Sequence, residues 1–543
     1  MKGKKMSNKL HGIIAMIGII LLISSFLLLP ACGEEQGTAS TESKPAPANE
    51  AGTITQLETY TIADSTGDWG FPSPYAHYSR GPGYVRMHYI FETLVWKNAT
   101  EFIPQLAREW EYNEKANAYT FKLQKNVKWH DGVEFTADDV AFTYNYAEEH
   151  PYQWVDNSIV ESVEVLDKYT VKIYLSKTYA SFFQDVAGAQ PILPKHIWEN
   201  VTVPEEFQSE ESTIGTGPYK FGDYSKEHGT YLYVANDDYY LGKPAVKEIR
   251  FVKIASEMNP AALKDGSVDS ADVPAEVIDD IKASGFSVIE CPPSWNAKLT
   301  INHQKEPLSD KEFRQAIAYA IDRESLVEIV LRGEGIPGSP GLMPPTSVWF
   351  NPDIPQYEYN PDKAKELIEG LGYSMDGDYY AKNGQPLKLS LIAASDYKDL
   401  GQFITGQLEG IGIDIDFQTY EAKTVDSKVE AWDFDLSIYG HGGIYDPSIL
   451  ERTIIDDGFN SARYTSNAEL TELLQDQLTE MNPEKRKEMV FRIQELYAED
   501  VPAQTLYYPR SYWAHDGSIN LYYTMDGLAI GVPIPLNRMC FVK

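Results

Sequence analysis

Between residues 106 and 144 the apolar positions switch from one period to another. Tyr119, Phe121 and Leu123 alternate with Thr120 and Lys122, the two-residue period of a strand buried on one face. The polar run 113–117 before it predicts a hairpin turn. His130-Asp131-Gly132 predicts a second turn, in which Gly132 is free to take positive φ. Thr136 then stands where a helix N-cap belongs, and Asp138 and Asp139 suit the electropositive first turn. Val140, Tyr144 and Ala147 recur at helical spacing. The unit predicted is hairpin, turn and capped helix. Alternation recurs at 162–166, 171–175 and 433–439, where Phe434, Leu436 and Ile438 share a face. Ala316, Ile317, Ala320 and Ile321 keep the helical period, with Ser309 available as cap. Strands mixed with helices predict an α/β protein.

The N-terminus follows another pattern. Lys2, Lys4, Lys5 and Lys9 precede an apolar run over 13–29, and Leu29-Pro30-Ala31-Cys32 follows. A membrane-spanning helix needs ~20 apolar residues, so this run approaches one. The small residue and cysteine directly after it read as a secretory signal peptide over residues 1–31. The tetrad resembles a bacterial lipobox, with Pro30 an unusual occupant and Cys32 the site of lipidation. An uncleaved anchor helix is the alternative. Either way the rest of the chain is expected outside the cytoplasm, tied to the membrane. Residues 32–52 are rich in Gly, Ser, Thr, Pro, Ala and Glu, which predicts a flexible tether.

The remaining residues exceed what one core serves, so two or more lobes are expected. Apolar content is 43% and aromatic content 12%, ample for burial. Lys and Arg number 47 against 80 Asp and Glu, a net charge of −33. That balance excludes direct binding to nucleic acid or anionic lipid and favours cationic ligands. Besides Cys32 the chain has Cys291 and Cys540. Two separately buried thiols are expected, with a disulfide as the alternative.

Longer motifs carry a resemblance. Leu106-Ala107, Trp110, Tyr119-Thr120-Phe121, Leu123, Val127, His130-Asp131-Gly132 and Thr136-Ala137-Asp138-Asp139-Val140 are similar to the signature of the family 5 extracellular solute-binding proteins. These are the dipeptide, oligopeptide and nickel receptors of ABC importers. Gln124 and Trp129 depart from its Arg and Phe. Further matches are Gly215-Thr216-Gly217-Pro218-Tyr219, the run from Asn302 through Pro307 and Arg314 to Asp322-Arg323, Pro361 to Tyr373, and Gln407 to Ile413. A phosphate-cradling role for the Gly215 turn lacks the Lys-Ser/Thr it needs. The acids at Asp265, Asp269 and Glu276 resemble a calcium loop, but Ser270 and Pro274 break it, so a helix-to-strand turn is expected. The acids and arginines around Arg314 and Arg323 are expected as ion pairs fixing helix ends.

The resemblance implies a periplasmic-binding-protein type II-like fold: two lobes, in three subdomains, joined by a two-crossing hinge. Residues 53–292 with 515–543 would form lobe one and 294–510 lobe two, crossing at the stiff Cys291-Pro292-Pro293 run and near Tyr512. It implies no enzymatic activity and no cofactor. The chain has no GxSxG or HExxH signature of a hydrolase. A sensor module without a transporter is the remaining alternative.

Ligand contacts are expected in two loops. Tyr439-Gly440-His441-Gly442-Gly443-Ile444-Tyr445-Asp446-Pro447 joins glycines, which admit a close backbone approach, to aromatics and one acid. In peptide-binding members an aspartate of this loop holds the peptide amine, which implies that role for Asp446. An N-cap role before Pro447 is the alternative. The second loop carries Tyr75, His77 and Arg80 between prolines and glycines. Arg80 could hold a carboxylate, and a loop packed by its own aromatics is the alternative. Trp295 beside the expected hinge completes the set. No metal site is expected, although His441 or His77 would serve in a receptor for nickel or another metal chelate. The function implied is capture of short peptides by a monomeric lipoprotein, which delivers them to a membrane permease and its ATPase.

Overall fold

In the computed structural model, the alternation around Tyr119 becomes the strand Ala118–Leu123. Residues 56–542 are described, apart from 66, 79, 80, 154, 294, 443, 445, 459, 460, 526, 528, 530, 531, 533 and 534. The expected signal peptide, tether and Cys32 lie outside the described residues. Ala118–Leu123 pairs antiparallel with Ala107–Asn113 and Thr170–Leu175, and Val160–Asp167 completes a four-stranded sheet. The expected turn is closed by Asn113, whose side chain accepts Ala116 N–H at 3.0 Å. Gly132 takes φ +93°. Thr136 precedes the helix Ala137–Glu149, and Asp139 reaches back to accept its N–H at 2.9 Å.

A seven-stranded sheet runs in the order Ser287–Glu290, Tyr512–His515, Ser270–Val273, Leu57–Asp64, Val246–Lys253, Thr230–Ala235, Tyr219–Ser225. Leu57–Asp64 is parallel to both of its neighbours. One apolar cluster, with Tyr89, Phe121, Trp198 and Phe251, serves this sheet and the four-stranded one together. The C-terminal segment returns to it. Arg538 stacks 3.5 Å from the Trp96 ring centre and donates to the His88 and Phe91 carbonyls at 2.8 and 3.0 Å. The calcium-like loop is the expected turn between the helix Asn259–Lys264 and the strand Ser270–Val273.

A six-stranded sheet runs in the order Gly335–Pro337, Ala503–Pro509, Trp295–Ile301, Leu436–Gly442, Lys388–Ala394, Asp414–Tyr420. The strand expected at 433–439 starts at Leu436 and continues through His441. The helix Lys311–Ala320 starts after Asp310 rather than Ser309. Among the described residues Arg314 forms no end-fixing ion pair. Its guanidinium donates to the carbonyls of Leu308, Ser309 and Asp500 at 2.9–3.0 Å. Neutral acceptors satisfy the buried guanidinium directly, and the charges of Asp500 and Asp310 act on it from nearby.

The chain passes between these sheets from Glu290 to Trp295 and back from Pro509 to Tyr512. Cys291 N–H donates to Ser511 O at 2.8 Å, so the two crossings are bonded to each other. Tyr512–His515 pairs with Ser270–Val273, so the returning chain joins the seven-stranded sheet from Tyr512. No disulfide joins Cys291 to Cys540. All of this lies in one compact unit, Ile54–Lys543.

Candidate ligand-binding cleft

The antiparallel pair Trp295–Ile301 and Leu436–Gly442 has two unlike faces. Ala297, Leu299, Ile301, Leu436 and Ile438 pack into the apolar core of the six-stranded sheet. The other face places Asn296 opposite His441, Lys298 opposite Tyr439 and Thr300 opposite Ser437. Thr505 stands opposite Lys298 on the next strand. This polar row is buried: Lys298 is 1% exposed and Asn296 0%. Both amide atoms of Asn296, both ring nitrogens of His441 and the hydroxyls of Ser437 and Thr505 have no hydrogen-bond partner among the described residues. Each such group costs roughly 1–3 kcal/mol when buried. A cluster of them marks a place with capacity for further polar partners.

Electrostatics sharpen the picture. Burial pushes the Lys298 ammonium down to about 7. Burial, with the positive charges of Lys298 and Arg452, holds His441 well below the usual histidine range, so its imidazole is neutral.

Aromatics stand at the end of the same strand pair. Trp295 lies nearly parallel to Tyr397 at 6.3 Å and meets Tyr507 at 6.3 Å and 60°. A Cβ at Gly440 would come within 2.2 Å of the Trp295 ring, so this position must be glycine for the indole to lie there. Gly442 ends the strand opposite Trp295.

The seven-stranded sheet contributes a cavity of about 370 Å³. Its walls are largely apolar, with Ala63, Trp69, Val85, Phe251, Trp513 and Leu536, and the Asp64–Arg86 ion pair and Asp272 add charge. Asp64 ends one parallel strand and Asp272 lies near the end of its neighbour. Carboxyl ends of parallel strands are where open α/β sheets bind ligands. Trp513 follows the second crossing and Trp295 the first, so the cavity and the aromatic group both adjoin the crossings.

Comparison with known proteins agrees with this geometry. Residues 101–450 match the family described as bacterial extracellular solute-binding proteins, family 5 Middle. The chain belongs to this family. The oligopeptide-binding protein AppA of Bacillus subtilis is 29% identical over 93% of this chain and 95% of its own length. The solved structure of that protein with a nonapeptide has a TM-score of 0.69 and 25% identity, over 89% of this chain and 99% of that one. NikZ of Campylobacter jejuni, in complex with Ni(L-His), has a TM-score of 0.71 and 25% identity over the same shares of the two chains. This family 5 protein therefore has the two-lobed, type II-like fold and is a binding protein of ABC importers, not an enzyme.

Of the ligand residues expected in this family 5 chain, Gly443, Tyr445 and Arg80 lie outside the described residues. Asp446 is placed differently from the expectation. Arg486 donates to its two carboxylate oxygens at 2.8 and 3.3 Å, Ser181 Oγ donates at 2.7 Å, and the Ser448 N–H donates at 2.9 Å. Burial opposes its ionisation, but the Arg486 charge and these donors outweigh it and hold the carboxyl below its usual range. The carboxylate is occupied and neutralised; the helix Ser448–Ile454 has Pro447 at its N-cap position and no side-chain cap, so the bond from Ser448 N–H to Asp446 belongs to the turn before the helix rather than to the expected N-cap. Ser181 belongs to the chain following the four-stranded sheet, so this knot ties that sheet to the segment after Leu436–Gly442. The backbone bond from Ala180 N–H to Leu478 O, at 2.7 Å, reinforces it.

Tyr75 and His77 are likewise structural. The Tyr75 hydroxyl donates to His150 O at 2.8 Å, and its ring packs edge-on against Tyr146 and Tyr152. His77 has Nδ1 at 2.9 Å from Tyr78 O and Nε2 at 2.9 Å from the Tyr152 hydroxyl, which removes it from the metal alternative. Among the described residues no group of three or more His, Cys, Asp or Glu could hold a metal ion. Tyr439 and His441 share the polar face of the strand pair, whereas Trp295, opposite Gly442, lies on the face of Ala297 and packs against the apolar core. Asn296 and Lys298 were not foreseen. Their signal was available: polar residues at alternate positions of a strand whose other positions are Ala297, Leu299 and Ile301.

Two outcomes follow from these placements. Asp446→Asn leaves Arg486 buried without its counter-charge, and should lower unfolding free energy by about 3 kcal/mol in urea titration. Were Asp446 a ligand anchor, the variant would lose affinity with stability unchanged. Burial pushes His77 down to about 4. Between pH 6.5 and 4 the unfolded chain takes up this proton and the folded chain does not. The stabilisation is therefore complete above pH 6.5 and lost as pH falls through 4. The stability difference between wild type and His77→Gln should shrink by up to about 3 kcal/mol over that window.

Proposed function

We propose that this protein captures a short peptide between its two lobes outside the cytoplasmic membrane and delivers it to an ABC permease. Lobe one comprises residues 53–292 with the return from Tyr512, and lobe two residues 294–510. The observation that carries the peptide reading is the pairing of two chemistries beside the crossings: a largely apolar cavity of about 370 Å³ and a buried polar strand row. A peptide offers both, apolar side chains and a regularly spaced polar backbone. Tyr439, on the face of the polar row, adds rigid contact surface at low entropic cost, and the likeness to AppA with its nonapeptide supports the same ligand class. Closure of the lobes over the ligand presents one surface to the permease. The partners are that permease and its ATPase, and the protein acts as a monomer. Cys32 carries the lipid that holds it at the membrane.

The unpartnered ring nitrogens of His441 and the likeness to NikZ with Ni(L-His) favour a second reading, a receptor for a metal chelate.

Native mass spectrometry of the full-length protein in detergent, as purified, with elemental analysis of the same sample, separates the two. A spread of added masses fitting short peptides, without stoichiometric metal, is expected. One discrete mass with a transition metal would replace the peptide reading by the chelate reading. Cys32→Ala should move the protein from the membrane fraction to the soluble one. Unchanged membrane retention would favour the uncleaved helix.

A further inference from the structure

We infer that the buried row of Asn296, Lys298 and His441 binds a carboxylate of the ligand. This rests on the reading of the cleft as a ligand site and assigns the charge of the group held there. The strand pairing sets the geometry. Asn296 and His441 are directly opposite, and Lys298 is the next residue of the same face. Opposite side chains start about 5 Å apart and same-face neighbours about 7 Å apart. Side chains of these lengths close such gaps by converging on one small anion.

The row supplies donors for an anionic group, while Asn296 Oδ1 and the second ring nitrogen of His441 remain as acceptors. The Asn296 amide offers two N–H donors and the neutral His441 ring one, and none of these atoms has a partner among the described residues. The Thr505 hydroxyl, opposite Lys298 and also unpartnered, adds another. The local field has the matching sign. The charges acting on His441 come from Lys298 and Arg452, both positive, in a chain whose net charge is −33. An ammonium would be repelled here, and a carboxylate would gain charge-assisted hydrogen bonds where little solvent screens them. The commitment of Asp446 to Arg486 points the same way: the group gripped by charge is the acidic end of the ligand rather than the amine.

Two sources could supply the carboxylate, a peptide C-terminus or a carboxylate of a metal chelate. The test uses three probes on the full-length protein in detergent: random tetrapeptides with free C-termini, the same pool as C-terminal amides, and the nickel–histidine complex. Wild type should favour the free acids over the amides by more than about tenfold, and Lys298→Met should abolish that preference. Equal binding of acids and amides by wild type overturns the inference and leaves the peptide reading standing. So does a preference that survives in Lys298→Met. Chelate binding that the variant loses keeps the carboxylate site and overturns the peptide reading, and chelate binding that it retains, with no peptide bound, overturns the inference. Binding of none of the probes overturns both. Should the variant fail to fold, the acid-to-amide ratio of wild type decides alone.

Discussion

The two-residue period of the strand pair Trp295–Ile301 and Leu436–Gly442 is the constraint on which the site depends. A strand inside a sheet has no choice about its faces: successive side chains point to opposite sides. Here both sides are buried. Ala297, Leu299 and Ile301 meet the core of the six-stranded sheet, so Asn296, Lys298 and Thr300 must face the other way together. A shift of register by one residue would put Lys298 into the apolar core, at a cost no single strand pairing could offset. The apolar face therefore fixes the polar one. The core holds the recognition row in place.

The knot around Asp446 shows how the rest of the chain is held to this pair. Asp446 follows the strand Leu436–Gly442, Arg486 comes from the helix Pro483–Asp500, and Ser181 follows the four-stranded sheet. A buried ion pair is a poor source of stability compared with apolar packing of the same volume. Its value lies in direction, because a guanidinium and a carboxylate meet well in few arrangements. With Ser181 as a third member, two segments that the crossings alone would leave adjustable acquire a defined relation. Asp185 sits beside this group, and burial and the Asp446 charge raise its carboxyl above the usual range. Only one of the two neighbouring acids is easily ionised, and the one bonded to Arg486 is the one that is.

Local patterns were legible in the sequence because local physics made them. The hairpin, the turn at Gly132 and the helix after Thr136 depend on residues within a few positions of one another. The type II-like architecture was legible through motif resemblance, and the prolines after Cys291 coincide with the first passage between the sheets. Asp446 was misread because its partners Arg486 and Ser181 lie 40 and 265 residues away, and no local period announces them. Its neighbourhood of glycines and aromatics described a ligand loop equally well. Tyr75 and His77 were misread for a related reason. A dense aromatic loop has the same composition whether it meets a ligand or folds upon itself, and the contacts with Tyr146 and Tyr152 that decide the matter are remote in the chain. Lys298 was passed over because a lysine in a strand is ordinarily on the solvent side of a half-buried sheet. Only the cover on both faces turns it into a buried charge.

That reversal bears on how a receptor of strongly acidic composition can handle an acidic group. Net charge governs the field at a distance, where salt screens it within about 10 Å at ordinary ionic strength. It says little about a site from which water is excluded. Within the row the local field includes the positive charges of Lys298 and Arg452 acting on His441, with the Asn296 amide directly opposite that ring. The fold bears the cost of keeping these groups away from water, and a protein selected for stability alone would fill the same space with Leu or Met. A buried polar face on which the side chains of Asn296, His441, Ser437 and Thr505 have no hydrogen-bond partner among the described residues, beside two crossings bonded to each other, is what remains when binding rather than stability has shaped that face of the sheet.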